Sequence, residues 1–376
     1  MNILQICANY PPVASGFGIY AQNLSLELAK YGVKTTILTF KNNNNINNEQ
    51  KQIGLLNIKR ISAYNLKSIE FPIFYPTILY HIHKIVIKND IDVINSHTRF
   101  FTSTYYASLY RKINKNIIFV HTEHGASSIM HKKKIISTIS NSYDRTFSRW
   151  VIKTADIPIA IGPSSRDFLK KLGCKKDIEI IPNSIDCERF KKQTGYSKNN
   201  KPEEILITFI GRLVESKGVS DLIKVFSELE DIYNIRLWIV GTGPDEKKFR
   251  DLSKKLHIKK IDFLGFREDI SNILSISDVF VNPSYYDSAP TTLLEASCIG
   301  RRIISSNVGD ASYMLGESYP YIYDAGKLDL LKKHLIMIIE KSDFHDDILK
   351  DRVHSLFNWN INARKYLDLL NSKCKK

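Results

Sequence analysis

The sequence predicts an α/β protein made of two doubly wound, Rossmann-like domains in tandem, and three observations lead there. The chain has 376 residues, more than one ordinary core organises and a good fit to two domains of under about 200 residues each. Short β-branched apolar runs alternate with helical patterns along nearly its whole length, as expected of parallel strands covered on both faces. The alternation breaks once, in KKQTGYSKNNKPEE at 191–204, a polar stretch carrying Gly and Pro with no apolar period. The expected division is therefore a first domain at 1–190, a linker at 191–204 and a second domain at 205–357. A last helix over about 358–376 is expected to pack back on the first domain.

The elements follow in order. Expected strands in the first half are Ile3–Cys7, Thr35–Phe40, Val93–Ser96, Ile117–Thr122, Ile157–Ile161 and Ile178–Ile181. In the second half they are Ile205–Ile210, Leu237–Val240, Ile261–Leu264, Val279–Asn282 and Ile303–Ser306. Val219, Leu222, Ile223, Phe226 and Leu229 recur at helical spacing and predict a helix over 219–230. The Asn-rich stretch at 42–48 reads as a surface loop. The opening MNILQICANYPP lacks the basic start and cleavage site of a signal peptide and reads as a buried strand and loop. No apolar run approaches the roughly 18 residues that span a bilayer. Five cysteines, odd in number and without metal-ligand spacing, point to a reducing cytoplasm.

In open α/β sheets ligands bind beyond the carboxyl ends of strands, so the residues after each strand are the candidates. After the first strand, Gly16-Phe17-Gly18 precedes a helix; it is equally a plain turn or a loop whose N–H groups approach phosphate. After the fourth come His121, Glu123 and His124; His124 suits a ligand contact and His121 a structural role. These residues have neither the spacing nor the third ligand of a zinc site. Gly211-Arg212 and Lys217-Gly218 follow the first strand of the second half. They are either surface bases or two cations able to stabilise a departing diphosphate. Gly241-Thr242-Gly243-Pro244 reads first as a turn; a nucleobase over it and over Gly265-Phe266-Arg267 is the alternative.

The strongest segment is Asp287-Ser288-Ala289-Pro290-Thr291-Thr292, leading to Glu295. It places one carboxylate on a loop and one on the following helix, with the helix's first N–H groups free for sugar or phosphate oxygens. Glu295 suits a vicinal diol, since a carboxylate accepts two hydrogen bonds. Asp90-Ile91-Asp92 imitates a metal motif but precedes a strand, at the wrong end of a sheet; capping explains it.

The net charge of +15 is unevenly placed. Residues 1–200 hold 28 Lys and Arg against 13 Asp and Glu, whereas 201–376 hold 26 of each. The first half therefore faces either plain solvent or an anionic partner such as a membrane leaflet. Lys132, Lys133, Lys134 and the aromatics Phe71 and Phe74 are the candidate acceptor or membrane contacts. No nucleic-acid motif accompanies the charge.

Taken in order, these segments resemble family 4 of the glycosyltransferases, with their GT-B fold of two Rossmann-like domains facing a central cleft. The resemblance spans about 300 residues and adds Ile181-Pro182-Asn183 to the segments above. It implies a retaining, metal-independent transferase without cofactor, moving a sugar from a nucleotide diphosphate sugar to a glycan or lipid-linked saccharide. Surface polysaccharide or lipopolysaccharide assembly at the inner face of the cell membrane is the implied setting. Gly16, Phe17, Gly211, Gly243, Phe266, Ser288, Ala289, Pro290, Thr291 and Thr292 are then donor contacts. Arg212 and Lys217 grip the diphosphate, Glu295 holds the ribose, and Asp287 and His124 meet the transferred sugar. Two departures stand out: Asp287 replaces a longer Glu, and Ser184 replaces a Gly at a turn. A catalytically silent subunit of the same fold and a nucleotide-sugar epimerase are the alternatives.

Overall fold

The computed structural model describes residues 1–13, 15–41, 50–66, 71–127, 138, 141–191, 204–342 and 344–374. The 42–48 loop, Lys132 to Lys134 and most of the 191–204 linker lie outside the described residues.

Among the described residues, runs of Ile, Val, Leu and Thr form ten strands in the first half. They are β1 (Asn2–Ile6), β2 (Lys34–Phe40), β3 (Gln50–Ile53), β4 (Leu56–Ile61), β5 (Ala63–Leu66), β6 (Phe71–Phe74), β7 (Val93–His97), β8 (Ile118–Glu123), β9 (Ile157–Ala160) and β10 (Glu179–Ile180). Eight of them make one sheet in the order β10-β9-β8-β7-β1-β2-β4-β3, and β5 pairs separately with β6. Apart from the antiparallel β3–β4 and β5–β6 pairs, the ladders are parallel. Leu4, Ile6, Leu38, Ile94 and Phe119 fill the core beneath the helices, fully or almost fully buried.

The second half adds β11 (Ile205–Ile210), β12 (Ile235–Val240), β13 (Ile261–Gly265), β14 (Val279–Asn282), β15 (Arg302–Ser306) and β16 (Ile322–Tyr323). They form one parallel sheet in the order β13-β12-β11-β14-β15-β16. All the strands expected from the apolar runs are present, with ends shifted by one or two residues. Both sheets reverse their strand order once, between β1 and β7 and between β11 and β14, which makes those two places the switch points where ligands enter.

The chain divides into two units, Met1–Asn183 with Trp359–Lys376, and Ser184–Asn358. The division comes earlier than the polar stretch suggested. Residues 184–190 belong with the second unit because Cys187 is buried in its core beside Leu293 and Phe357. In the first unit the Trp359–Cys374 helix packs on the Gly16–Ala29 helix, Trp359 edge-on to Tyr20 at 5.1 Å. Cys187 and Cys298 form a disulfide, with Cα atoms 5.5 Å apart. The sequence reading did not pair these two cysteines. The partners are 111 positions apart, and only the packing of the Cys187–Lys191 helix against the Thr291–Ile299 helix brings them together.

Candidate active site

In the second unit, the two loops that leave the switch-point strands β11 and β14 lie against each other. Tyr285 and Tyr286 donate their backbone N–H groups to the Ser216 carbonyl at 2.8 and 3.3 Å. Lys217 forms an ion pair with Asp287, so two residues 70 positions apart in sequence share one place. Gly218 makes the approach possible. Its φ is +69°, and a Cβ there would lie 1.9 Å from the Pro283 carbonyl oxygen. Arg212 stands exposed on the same loop as Lys217 and, among the described residues, pairs with no carboxylate.

A third loop, after β12, is pressed equally close. A Cβ on Gly243 would lie 2.2 Å from the Leu213 carbonyl, and Leu213 N–H donates to the Thr242 carbonyl at 2.9 Å. Gly243 therefore serves the turn that shapes the Arg212 loop. Phe266, just past β13, is 72% exposed, and Gly241 N–H bonds the Gly265 carbonyl at 2.8 Å, joining these two strand ends. An exposed ring there is a platform on which a flat heterocycle can stack.

Asp287 and Ser288 are held from behind by a segment the sequence reading missed. Asp310 N–H donates to the Ser288 carbonyl at 2.9 Å, and a Cβ on Gly309 (φ +53°) would meet the Asp287 carbonyl at 2.2 Å. The only local signal was the glycine itself. Beyond this loop the Thr291–Ile299 helix begins at Pro290 without any side-chain cap. Ser288, Ala289 and Thr292 are partly exposed and Thr291 is exposed, leaving first-turn N–H groups open to an acceptor. Glu295 lies one turn in. Burial raises its carboxyl from the ordinary 4.5 to about 7, and no described residue bonds it. An unpartnered, desolvated carboxylate is a strong acceptor for hydroxyl donors.

In the first unit, Gly16 and Phe17 open the Gly16–Ala29 helix, which Ser15 caps by accepting from Gly18 N–H at 3.2 Å. A Cβ on Gly16 would meet nothing within 4 Å, whereas one on Gly18 would lie 2.6 Å from the Asn9 carbonyl. Gly18 is thus required by packing, and Gly16 stands against open space. The Phe17 ring lies 6.2 Å from that of His124, which follows β8. His124 bonds through Nε2 to Nδ1 of the fully buried His97 at 3.0 Å. Burial, opposed by the charge of Glu123 and reinforced by His121, lowers His124 to about 3, so it is neutral.

Next to His124, Glu123 is fully buried and bonds Arg99 (3.0 Å) and Gly125 N–H (2.7 Å). Burial alone would raise its carboxyl, but Arg99, His121 and that N–H bring it down to about 2. Arg99 also bonds Asp144 at 2.8 Å. His121 is buried between Ser96 and Glu123. Asp92 caps the chain start by accepting from Asn2 N–H at 2.8 Å. Nothing local pointed to His97 and Arg99, since His97 ends β7, Arg99 lies two residues beyond it, and no motif marks either.

Two membrane candidates change. Phe74 is 2% exposed and belongs to the core of the first unit, so it presents no ring to a bilayer. Phe71 is half-buried and stacks on Phe101 at 4.9 Å. Ser184 is not among the residues with positive φ, so replacing Gly there carries no strain.

Comparison with known proteins accords with this geometry. The family described as Glycosyltransferase Family 4 matches residues 14–189, and Glycosyl transferases group 1 matches residues 191–352. An uncharacterized glycosyltransferase of Methanocaldococcus jannaschii is 28% identical over 294 residues, 74% of each chain. A phosphatidylinositol N-acetylglucosaminyltransferase subunit of Saccharomyces cerevisiae is 23% identical over 98% of this chain and 82% of its own. Among solved structures, sucrose-phosphate synthase of Thermosynechococcus elongatus has a TM-score of 0.81 at 18% identity, covering 99% of this chain and 98% of its own. Anabaena HepE in complex with UDP has a TM-score of 0.76 at 15% identity, covering 99% and 100%. With its two Rossmann-like units of the GT-B fold, the chain belongs to the family 4, group 1 glycosyltransferases.

Proposed function

We propose that the second unit binds a nucleotide diphosphate sugar and that the chain transfers the sugar with retention and without a metal ion. The observation that carries this reading is the Lys217–Asp287 pair beside the unpaired Arg212, at the switch point of the second sheet. As the sugar–phosphate bond breaks, charge develops on the diphosphate. Arg212, Lys217 and the open N–H groups of Thr291 and Thr292 neutralise it without reorganising. Glu295 accepts the ribose hydroxyls and Phe266 stacks on the base. The complexes of HepE with UDP and UDP-glucose make a uridine donor the first to test.

Asp287, engaged by Lys217, is a poor nucleophile for double displacement. Attack of the acceptor hydroxyl on the face the diphosphate leaves, with a phosphate oxygen taking the proton, fits better. His124 and the Gly16–Phe17 loop of the first unit serve the sugar end of this reaction. The direct test is turnover of UDP-glucose with and without EDTA, with Arg212→Ala as control and the product's anomeric configuration read by NMR. Loss of turnover in EDTA, or an inverted product, refutes the mechanism.

The acceptor, on this reading, is a lipid-linked saccharide at an anionic membrane surface. Arg111, Lys112, Lys115, Lys153 and Lys176 line a hollow of about 310 Å³ in the first unit. Asp156 is the one carboxylate there, and Arg111 binds it at 2.7 Å. Trp150 is 41% exposed beside it, under Lys112 at 5.5 Å. Each base near an anionic leaflet contributes about 1 kcal/mol, and an exposed indole suits the interface. No helix among the described residues is long and apolar enough to cross a membrane. Binding to phosphatidylglycerol vesicles should weaken steeply between low and high salt; binding that ignores salt, or none, rejects this acceptor.

A further inference from the structure

We propose that His97, held by Gln5, is a positioning residue that presents His124 to its ligand as a hydrogen-bond acceptor, so that the group it meets is a sugar hydroxyl rather than an anion. The inference rests on the assignment of His124 to the site.

The supporting observation is a chain of donors and acceptors across β8, β7 and β1. Thr122 hydroxyl donates to Asn95 Oδ1 at 3.0 Å, which leaves Asn95 Nδ2 to donate to Gln5 Oε1, also at 3.0 Å. The same Gln5 oxygen lies 2.8 Å from His97 Nε2. The opposite order requires the Gln5 and Asn95 amides both to be turned, which would give the otherwise unpartnered Gln5 Nε2 an acceptor, and the tautomer measurement below separates the two. With the Gln5 amide oxygen toward His97, as the structure places it, His97 carries its proton on Nε2. A neutral imidazole then has a bare Nδ1, and the atom facing it at 3.0 Å, His124 Nε2, must bear the hydrogen. His124 is left with a bare Nδ1, and no described residue donates to it. Burial lowers His97 well below its ordinary value as it does His124, so neither ring offers a second proton. Gln5, Asn95 and His97 are all 0% exposed, so water does not compete for these bonds.

The backbone adds an independent sign. Thr98, between His97 and Arg99, has φ +62°. A β-branched residue in the left-handed region is strained, and such strain persists where surrounding contacts over-determine it. Here the flanking side chains hold His124 on one side and Glu123 on the other. A bare ring nitrogen accepts from a hydroxyl and repels carboxylate or phosphate oxygen. The site therefore favours a neutral hydroxylated sugar at this position over a uronate or a sugar phosphate.

The test is long-range ¹H–¹⁵N correlation of the full chain with labelled histidine, which needs no ligand. His97 and His124 should both show the Nε2–H tautomer. Replacing His97 by Leu should mix the tautomers of His124 and lower kcat/KM for UDP-glucose about tenfold, the rate equivalent of one neutral hydrogen bond. His97→Asn, which keeps an acceptor at the position of Nδ1, should restore both. An Nδ1–H tautomer at His124 in the native chain overturns the proposal, as does a Leu variant with unchanged spectrum and kinetics. Should His97→Leu fail to fold, the native spectrum and the Asn variant still decide. His124→Ala separates the two ideas: turnover that survives it removes His124 from the site and ends the specificity claim, whatever the tautomers.

Discussion

Glu295→Gln should make the protein more stable and its donor binding weaker, in opposite pH-dependent ways. The side chain sits one turn into the Thr291–Ile299 helix, without a bonded partner among the described residues, and desolvation raises it from 4.5 to about 7. Because the folded value is above the unfolded one, folding is penalised when the carboxyl must ionise. The penalty is absent below about 4.5, grows through the interval and is complete above about 7. At about 1.4 kcal/mol per pH unit the full interval corresponds to about 3 kcal/mol. Glu295 is partly exposed, so screening by water reduces this to about 1–2 kcal/mol. Neutral Gln escapes the penalty, so urea unfolding at pH 8 should show the variant more stable by that amount, the gap closing toward pH 5. Donor binding moves the other way. On the proposed reading the ionised carboxylate accepts the ribose hydroxyls, each charge-assisted bond contributing about 1.5–3 kcal/mol, so the variant's Kd for UDP should rise at least tenfold at pH 8. In the native chain UDP affinity should fall as pH drops below about 7. A variant with native stability at pH 8 and unchanged UDP affinity refutes both the desolvation and the ribose role.

Other perturbations test the same construction. Arg212→Ala should lower kcat by roughly 10²–10³, the loss typical of one preorganised charge-stabilising donor, with no change in melting temperature. Gly218→Ala forces a Cβ to 1.9 Å from the Pro283 carbonyl in a left-handed turn. It should lower stability by about 2 kcal/mol or more and impair turnover together, read by denaturant melts and donor hydrolysis. Arg99→Met leaves Glu123 and Asp144 buried without their cation and should destabilise by about 3–5 kcal/mol in urea unfolding. In the native chain Glu123, held at about 2, contributes stability that is complete above about 4.5 and lost as pH falls through 2; acid titration of Glu123→Gln should lack that component.

What sequence could and could not carry follows from which forces act locally. Continuous apolar runs such as Ile205–Ile210 and Val279–Asn282 encode their own strands, because burial on both faces leaves few alternatives. β4 escaped because Asn57, Lys59 and Arg60 interrupt Leu56, Ile58 and Ile61, so its apolar residues never form a run. The candidate donor loops were legible because glycine, proline and charge sit in one short segment each, though their contact was not. Lys217 reaches Asp287 only because β11 and β14 are neighbours at the switch point. The same reason hid the histidine network of the first unit. His97 ends β7, His124 follows the adjacent β8 and Gln5 lies on β1 beyond, so three unremarkable residues become one hydrogen-bonded chain only after the sheet is assembled. Charge was legible in amount and in half, but not in place, since Phe74 went to the core while Trp150 stayed beside the bases of the 102–113 and 149–154 helices. Local composition thus fixes which elements form, and the order of strands decides which of their ends act together. Swapping Asp287 and Lys217 tests this directly. If adjacency holds the two loops together while each residue's own position sets the chemistry, the exchanged pair should keep the fold and its stability while turnover falls, because the cation has moved to the wrong loop. A swapped variant with native turnover would show that the pair serves packing alone.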